Sequence, residues 1–365
     1  ILGKLGVPEE ALNRLARALP GNVTTDMDLL LADLADRVRG IPGLAELLEQ
    51  RGLAGAKEHP GSGPFLSAFQ DFLDRYGMRG PGEIDLSRPR WGDRPECLLP
   101  MILGNLRGDQ PVGAHRRRHA DMEAEATQEA EKILSAAPFW RRPLLSRMIR
   151  VMRSHLAVRE HPKYTLVRLF WELRKTVFEA EELLLEQGHL TAKGQVWFLN
   201  WEELEAAVEG RLSPAAAQAL VQQRQAEHLL NQRRTPPLVM ASDGEIPTFG
   251  LRRDLPAGAL GGIGASAGVV EGRARVVRDP SAEQLHAGEI LVAPFTDPGW
   301  TPLFTHAAGL VTDVGGLMTH GSVVAREMGI PAVVGVTGAT GRIQSGDRLR
   351  VDGSRGVVEI LEKIV

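Results

Sequence analysis

The chain has 365 residues, 43% hydrophobic and 24% charged, with a formal net charge of −3. That length supports two or three domains with sizeable cores, and the near-neutral balance excludes bulk attraction to nucleic acid or to an anionic membrane. A single cysteine, Cys97, excludes an intramolecular disulfide or a thiolate metal cluster; with no long apolar run and no leader pattern, the expectation is a cytoplasmic protein.

From the first residue to about 235 the sequence predicts mostly helix. "EEALNRLARAL" (9–19) and "DMDLLLADLADRVR" (26–39) place apolar residues at helical spacing, and Thr24-Thr25-Asp26 offers capping side chains for the second. "GPFLSAFQDFLDRYG" (63–77) has the same period and ends on a glycine suited to a C-cap. The stretch 78–96 is too rich in Pro and Gly for regular structure. Helical patterns return over 115–136 and 164–187, and "QVWFLNWEELEAAVEG" (195–210) predicts a short strand, a turn and a helix capped near Asn200. Mixed charge over 117–134 marks a solvated helix face.

"RTPPLVMASDGEIPTFG" (234–250) holds Pro236-Pro237 and Asp243-Gly244, and the texture changes after it. Short β-branched runs follow at 268–277, 289–296, 309–315, 331–336 and 347–361, the last with Asp352-Gly353 as a hairpin signal. The division expected is a helical domain (1–235), a linker or hinge (236–250) and a compact α/β domain (251–365).

Within the α/β domain, "GLVTDVGG" reads as a strand entering a glycine turn and "HGSVVAREMG" as the helix leaving it. His320 therefore falls at a helix N-terminus, where unpaired N–H groups and the helix dipole favour an anion such as phosphate. Thr319 and Ser322 offer hydroxyls, and Gly321 keeps the approach open. Imidazole is a competent nucleophile near neutral pH. The plainer alternative is a histidine that caps its helix or is satisfied within the core. His115, His119, His155 and His161 have no spacing that suggests a metal site.

The whole stretch "GGLMTHGSVVAREMGIPAVVGV" resembles the signature of the swivelling phosphohistidine domain of the phosphoenolpyruvate-utilising enzymes, and "TDPGWTPLF" (296–304) and "GASAGVVEGRARVV" (264–277) resemble its other segments. Further pieces, "GNVTTDMDL" (21–29), "FLDRYGMRGPGEIDLSRPRW" (72–91), "REHPKY" (159–164) and "PPLVMASDGE" (236–245), are similar to the rifampin phosphotransferase branch. The resemblance implies a multidomain protein: a mainly helical, rifamycin-binding domain followed by a swivelling domain. It implies that His320 carries a phosphoryl group from ATP to a rifamycin hydroxyl, inactivating the antibiotic with release of AMP and phosphate. ATP and Mg²⁺ would be bound by an ATP-grasp domain, in the same longer chain or in trans, that nothing in this sequence resembles. The chain, opening on Ile1, is thus expected to be the C-terminal part of something longer, to bind no cofactor itself, to be inactive with ATP alone, and to bind neither nucleic acid nor membrane.

By the same resemblance Arg159 and Lys163 lie near the hydroxyl to be phosphorylated; four apart, they would share one helix face if Pro162 does not kink it. A solvated basic face is the alternative. Arg79, Glu83 and Asp85 either bind substrate or pin a loop by ion pairs, the latter being preferred. Trp300 is expected to support the turn beside the histidine. Two other readings stay open: a different acceptor, or a non-catalytic phosphocarrier and ligand-binding module that needs a separate ATP-grasp chain.

Overall fold

The computed structural model describes residues 7–106, 111–234, 240–244, 255, 258–280, 283 and 285–364; of the expected linker, 236–250, all but 240–244 lies outside the described residues. The described residues within Ile1–Glu83, Arg90–Tyr164 and Leu251–Val365 form one compact unit, and those within Ile84–Pro89 and Thr165–Gly250 a second. Packing thus groups chain from both sides of 236–250 in the first unit.

That unit opens with helix Glu9–Leu15, shorter than the periodicity predicts. Ala18 turns to φ +42°, a value no helix contains. The Arg153 guanidinium meets the carbonyl oxygens of Leu15 (2.6 Å) and Ala18 (3.2 Å), which satisfies part of the frayed end. Helix Val23–Arg39 follows, and its cap is Asn22, which accepts from the Thr24 N–H, rather than Thr24-Thr25-Asp26. Its inward stripe of Met27, Leu31, Leu34 and Val38 packs on Phe65, Phe69 and Phe72 of helix Gly63–Tyr76 and on Ile102 of helix Leu99–Leu106. Each fully buried side chain of this kind contributes about 1.5–3 kcal/mol. Gly77 ends its helix in the right-handed region, so its αL freedom is unused. Trp91 is core, stacked near Phe72.

Pro162 causes no kink. It occupies the first turn of helix His161–Glu186, where its missing N–H has no intrahelical partner to lose, and Arg159 caps the preceding helix, Arg142–Val158. Arg159 and Lys163 are therefore on different helices, not on one face. In the second unit, Val177, Leu184, Val196, Leu204 and Val221 form the core. The strand expected at 195–199 is a 3-10 turn, Gln195–Phe198. Glu181 Oε1 accepts from the Gly194 N–H (2.6 Å), and Gly194 at φ +86° turns the backbone away from an extended path. Helix Trp201–Val208 is capped by Asn200, as the sequence predicts, through a reciprocal capping box with Glu203.

The α/β region holds one eight-stranded mixed sheet: β1 (Leu260–Gly261), β2 (Ile263–Ser266), β3 (Val269–Val276), β4 (Ile290–Ala293), β5 (Gly309–Thr312), β6 (Ala332–Val334), β7 (Arg348–Asp352) and β8 (Val357–Glu362), ordered β1-β8-β7-β3-β4-β5-β6-β2. Strands β3 to β6 pair in parallel, and β4, β5 and β6 are buried along their whole length, as parallel strands covered on both faces must be. β1 and β2 are neighbours in sequence yet stand at opposite ends of the order, so a single turn at Gly262 passes between both edges. A Cβ on Gly262 would lie 2.7 Å from the Val334 carbonyl oxygen, which excludes any larger residue. The β7–β8 hairpin forms as predicted, turning through 353–356. Helix His320–Met328 leaves the loop after β5 and returns to β6.

Candidate functional site

The helix begins on Thr319, an extended N-cap whose side chain makes no capping bond. Its hydroxyl donates to the Gly316 carbonyl oxygen (2.8 Å), and so does the buried Ser322 hydroxyl (2.7 Å), with 3.1 Å between the two oxygens. In this arrangement both hydroxyls pin the 316–319 turn. Gly321 also has a packing reason: a Cβ there would fall 2.1 Å from Thr296 Oγ1. The glycine lets the helix seat on Thr296.

His320 is only 10% exposed, and its two ring nitrogens have separate partners. Nδ1 lies 3.2 Å from Glu160 Oε2, and Nε2 lies 3.0 Å from Thr301 Oγ1. Thr301 is fully buried and donates its own proton to the Pro298 carbonyl oxygen (2.8 Å), leaving a lone pair toward the ring. Glu160, as a carboxylate, can only accept. Nδ1 therefore donates to Glu160; this proton is assigned from its partner.

Burial by itself pushes the Glu160 carboxyl upward, but the hydrogen bond and charge of His320, then Arg159 and Arg79, outweigh it and hold the group at about 2. Glu160 is therefore ionised across the neutral range. Its other oxygen, Oε1, accepts from Arg159 (2.6 Å), which also donates to the Met318 carbonyl oxygen (2.6 Å) just upstream of the histidine. Arg159 thus ties Glu160 to the loop that carries His320.

A second, deeper network adjoins it. Arg79 and Glu83, 1% and 0% exposed, pair at 2.8 Å, and the Lys163 ammonium reaches the other Glu83 oxygen at 3.2 Å. Asp297 accepts from the backbone N–H groups of Gly82 (2.7 Å) and Gly299 (2.9 Å), and burial pushes its carboxyl above the usual range. Gly299 approaches so closely that a Cβ would lie 2.4 Å from the Pro81 nitrogen. The loop 79–83 and the segment 297–301 are thereby fixed side by side, and Trp300, buried beside Phe295, supports that turn.

Of the sequence candidates, the fold gathers Arg159, Thr319, Gly321, Ser322 and His320, with Arg79, Glu83 and Lys163 behind them. Asp85 belongs to the second unit, where its carboxylate closes a turn with the Ser87 N–H and hydroxyl. The sequence reading missed Glu160 and Thr301, although both sit inside motifs it singled out, "REHPKY" and "TDPGWTPLF". Only the meeting with the imidazole distinguishes them from their neighbours.

Comparison with known families fits this construction. Residues 285–356 match the model for the mobile domain of PEP-utilising enzymes, and residues 1–160 match the rifampicin phosphotransferase fourth domain. The α/β region that carries the histidine helix thus resembles the mobile domain of the PEP-utilising enzymes. Over 97% of its length the chain is 44% identical to a rifampicin phosphotransferase of Streptomyces sviceus, and over 96% it is 38% identical to that of Bacillus subtilis. Over nearly its whole length the chain is thus similar to the rifampicin phosphotransferases. It covers 41% of each of those two proteins. The prodigiosin synthesizing transferase PigC of Serratia marcescens is 34% identical over 95% of the chain, which covers 40% of it.

Proposed function

We propose that the chain is the phosphoryl-carrying and acceptor-side part of an ATP-dependent phosphotransferase, with His320 as carrier and a rifamycin hydroxyl as acceptor. The observation that carries this reading is the buried bond from Glu160 to His320 Nδ1. It fixes the ring by Nδ1, in the way a carboxylate orients a catalytic imidazole, so Nε2 is the nitrogen to be phosphorylated once it parts from Thr301. The phosphoryl group would be gained on Nε2 at an ATP-grasp domain that also holds ATP and Mg²⁺. Residues 1–235 are read as the acceptor-binding domain, 236–250 as the hinge and 251–365 as the part that swings.

At the acceptor side the P–N bond to Nε2 breaks while a P–O bond forms to the incoming hydroxyl. The hydroxyl's proton balances the one that imidazole regains at Nε2, and the ring returns to its place between Glu160 and Thr301. Arg159 and Lys163 offset charge on the phosphoryl group in flight. Thr319 and Ser322 would reach the phosphate only after releasing the Gly316 carbonyl.

A second reading keeps the carrier and changes the acceptor. It is favoured by the similarity to PigC, whose name gives prodigiosin synthesis rather than rifampicin phosphorylation. One experiment tests both. The chain is mixed with a purified ATP-grasp domain from a relative, ATP and Mg²⁺, and intact mass is followed for wild type and His320→Ala, with and without rifampin. An acid-labile adduct on wild type only, discharged by rifampin, is the expected result. An adduct that rifampin leaves in place supports the other acceptor, and an adduct on His320→Ala rejects the carrier assignment.

A further inference from the structure

At the C-terminal end of the histidine helix, a cavity of about 150 Å³ opens among Leu29, Ala32, Met122, Phe304, Met328 and Ile330. Among its buried polar groups, which include Glu327 and His306, Asp28 is 3% exposed and neither its Oδ1 nor its Oδ2 has a hydrogen-bond partner among the described residues. An ionised carboxylate left unpaired at such depth is costly, by several kcal/mol.

The charges around it are otherwise engaged. Arg39 pairs with Asp36 (2.6 Å) and His115 with Asp33 (2.8 Å). Arg79, whose charge acts on Asp28, is bound to Glu83 at 2.8 Å. Glu327, the second acid on the wall, accepts from Asn22 and Thr25. Arg118 is exposed at the lining, and half-buried His119 keeps Nε2 without a partner there.

We infer that this cavity binds a small organic cation, a protonated amine on an apolar body, with the ammonium received by Asp28. The walls are apolar where the body would lie, and a cavity of this size holds a single benzene-sized group. A hard divalent cation fits less well, since it takes six or more oxygen ligands and the described residues gather no group of three metal-ligating side chains. Burial, opposed by Arg79 and helped by Glu327, raises the Asp28 carboxyl well above its usual range, and a bound ammonium offsets that burial by pairing with the carboxylate.

Benzylamine is the probe, with benzyl alcohol as its neutral counterpart, titrated calorimetrically into the 365-residue chain at pH 7. The expected result is saturable benzylamine binding, at least about tenfold tighter than benzyl alcohol, a difference of about 1.4 kcal/mol. Asp28→Asn loses that preference. Ala32→Leu, which fills the cavity and leaves Asp28 in place, loses binding altogether and decides the matter if Asp28→Asn does not fold. No saturable binding to wild type, equal binding of the alcohol, or undiminished binding to Ala32→Leu overturns the inference.

Discussion

Glu160 and His320, 160 residues apart in sequence, meet with 3.2 Å between Oε2 and Nδ1, and the approach is buried on both sides. This pair ties the helical region to the histidine helix and sets which face of the imidazole remains. Replacing Glu160 by Gln removes a charge-assisted bond, and unfolding by urea at pH 7 is expected to show a loss of about 1.5–3 kcal/mol. The sign with pH is definite. A carboxyl held at about 2 against an ordinary 4.5 stabilises the folded state fully above pH 4.5 and loses that contribution as pH falls from there to about 2. The gap between wild type and Glu160→Gln should therefore narrow over that window.

Glu327 behaves in the opposite sense. Burial lifts its carboxyl from 4.5 to about 7, against the lowering effect of Thr25 and Asn22. Between pH 4.5 and 7 the unfolded chain releases this proton before the folded chain does, so stability falls as pH rises through that range and levels off above it. Glu327→Gln should flatten the slope there in a series of denaturation midpoints, whatever its constant offset. An unchanged slope would remove Glu327 as its source.

Asn22 performs two tasks with one amide. Its oxygen caps helix Val23–Arg39 at the Thr24 N–H, and its nitrogen donates to Glu327 at 2.7 and 2.8 Å. Asn22→Ala loses the cap and leaves a buried carboxyl under-satisfied, at a cost of about 2–3 kcal/mol. Asn22→Asp keeps the cap but sets two acids face to face, and is expected to recover stability only as pH is lowered.

Gly321→Ala forces its new methyl onto Thr296 Oγ1, 2.1 Å away, and the β-branched threonine has few rotamers to retreat to. A destabilisation of about 1–3 kcal/mol is expected, and Thr296→Ala in the same chain should restore most of it. A double variant no more stable than Gly321→Ala would place the constraint elsewhere.

Lys163 contacts buried Glu83 from a partly exposed position. If it offsets phosphoryl charge during transfer, Lys163→Ala should slow discharge of phosphorylated His320 to the acceptor by about 10²-fold. Charging by the ATP-grasp domain should be unchanged. Equal effects on charging and discharge would assign Lys163 to the fold alone.

By itself the sequence determined the local elements and the position of the histidine. Helical periodicity located the inward stripe Met27-Leu31-Leu34, the Asn200 capping box needed only near neighbours, and the glycine turn before "HGSVVAREM" put His320 at a helix start. Each of these is written in spacings of a few residues. Tertiary structure decided the rest. Helix Glu9–Leu15 stops short of its periodic pattern, and Arg153, far along the chain, meets the Leu15 carbonyl at its end. Gly321 is explained by Thr296, and the hydroxyls of Thr319 and Ser322 by Gly316. Glu160 and Thr301 gained meaning only when folding set them on the two ring nitrogens of His320. Long-range partners of that kind leave no period in a sequence, because a side chain's charge and hydrogen bonds depend on what packs against it and not on what precedes it.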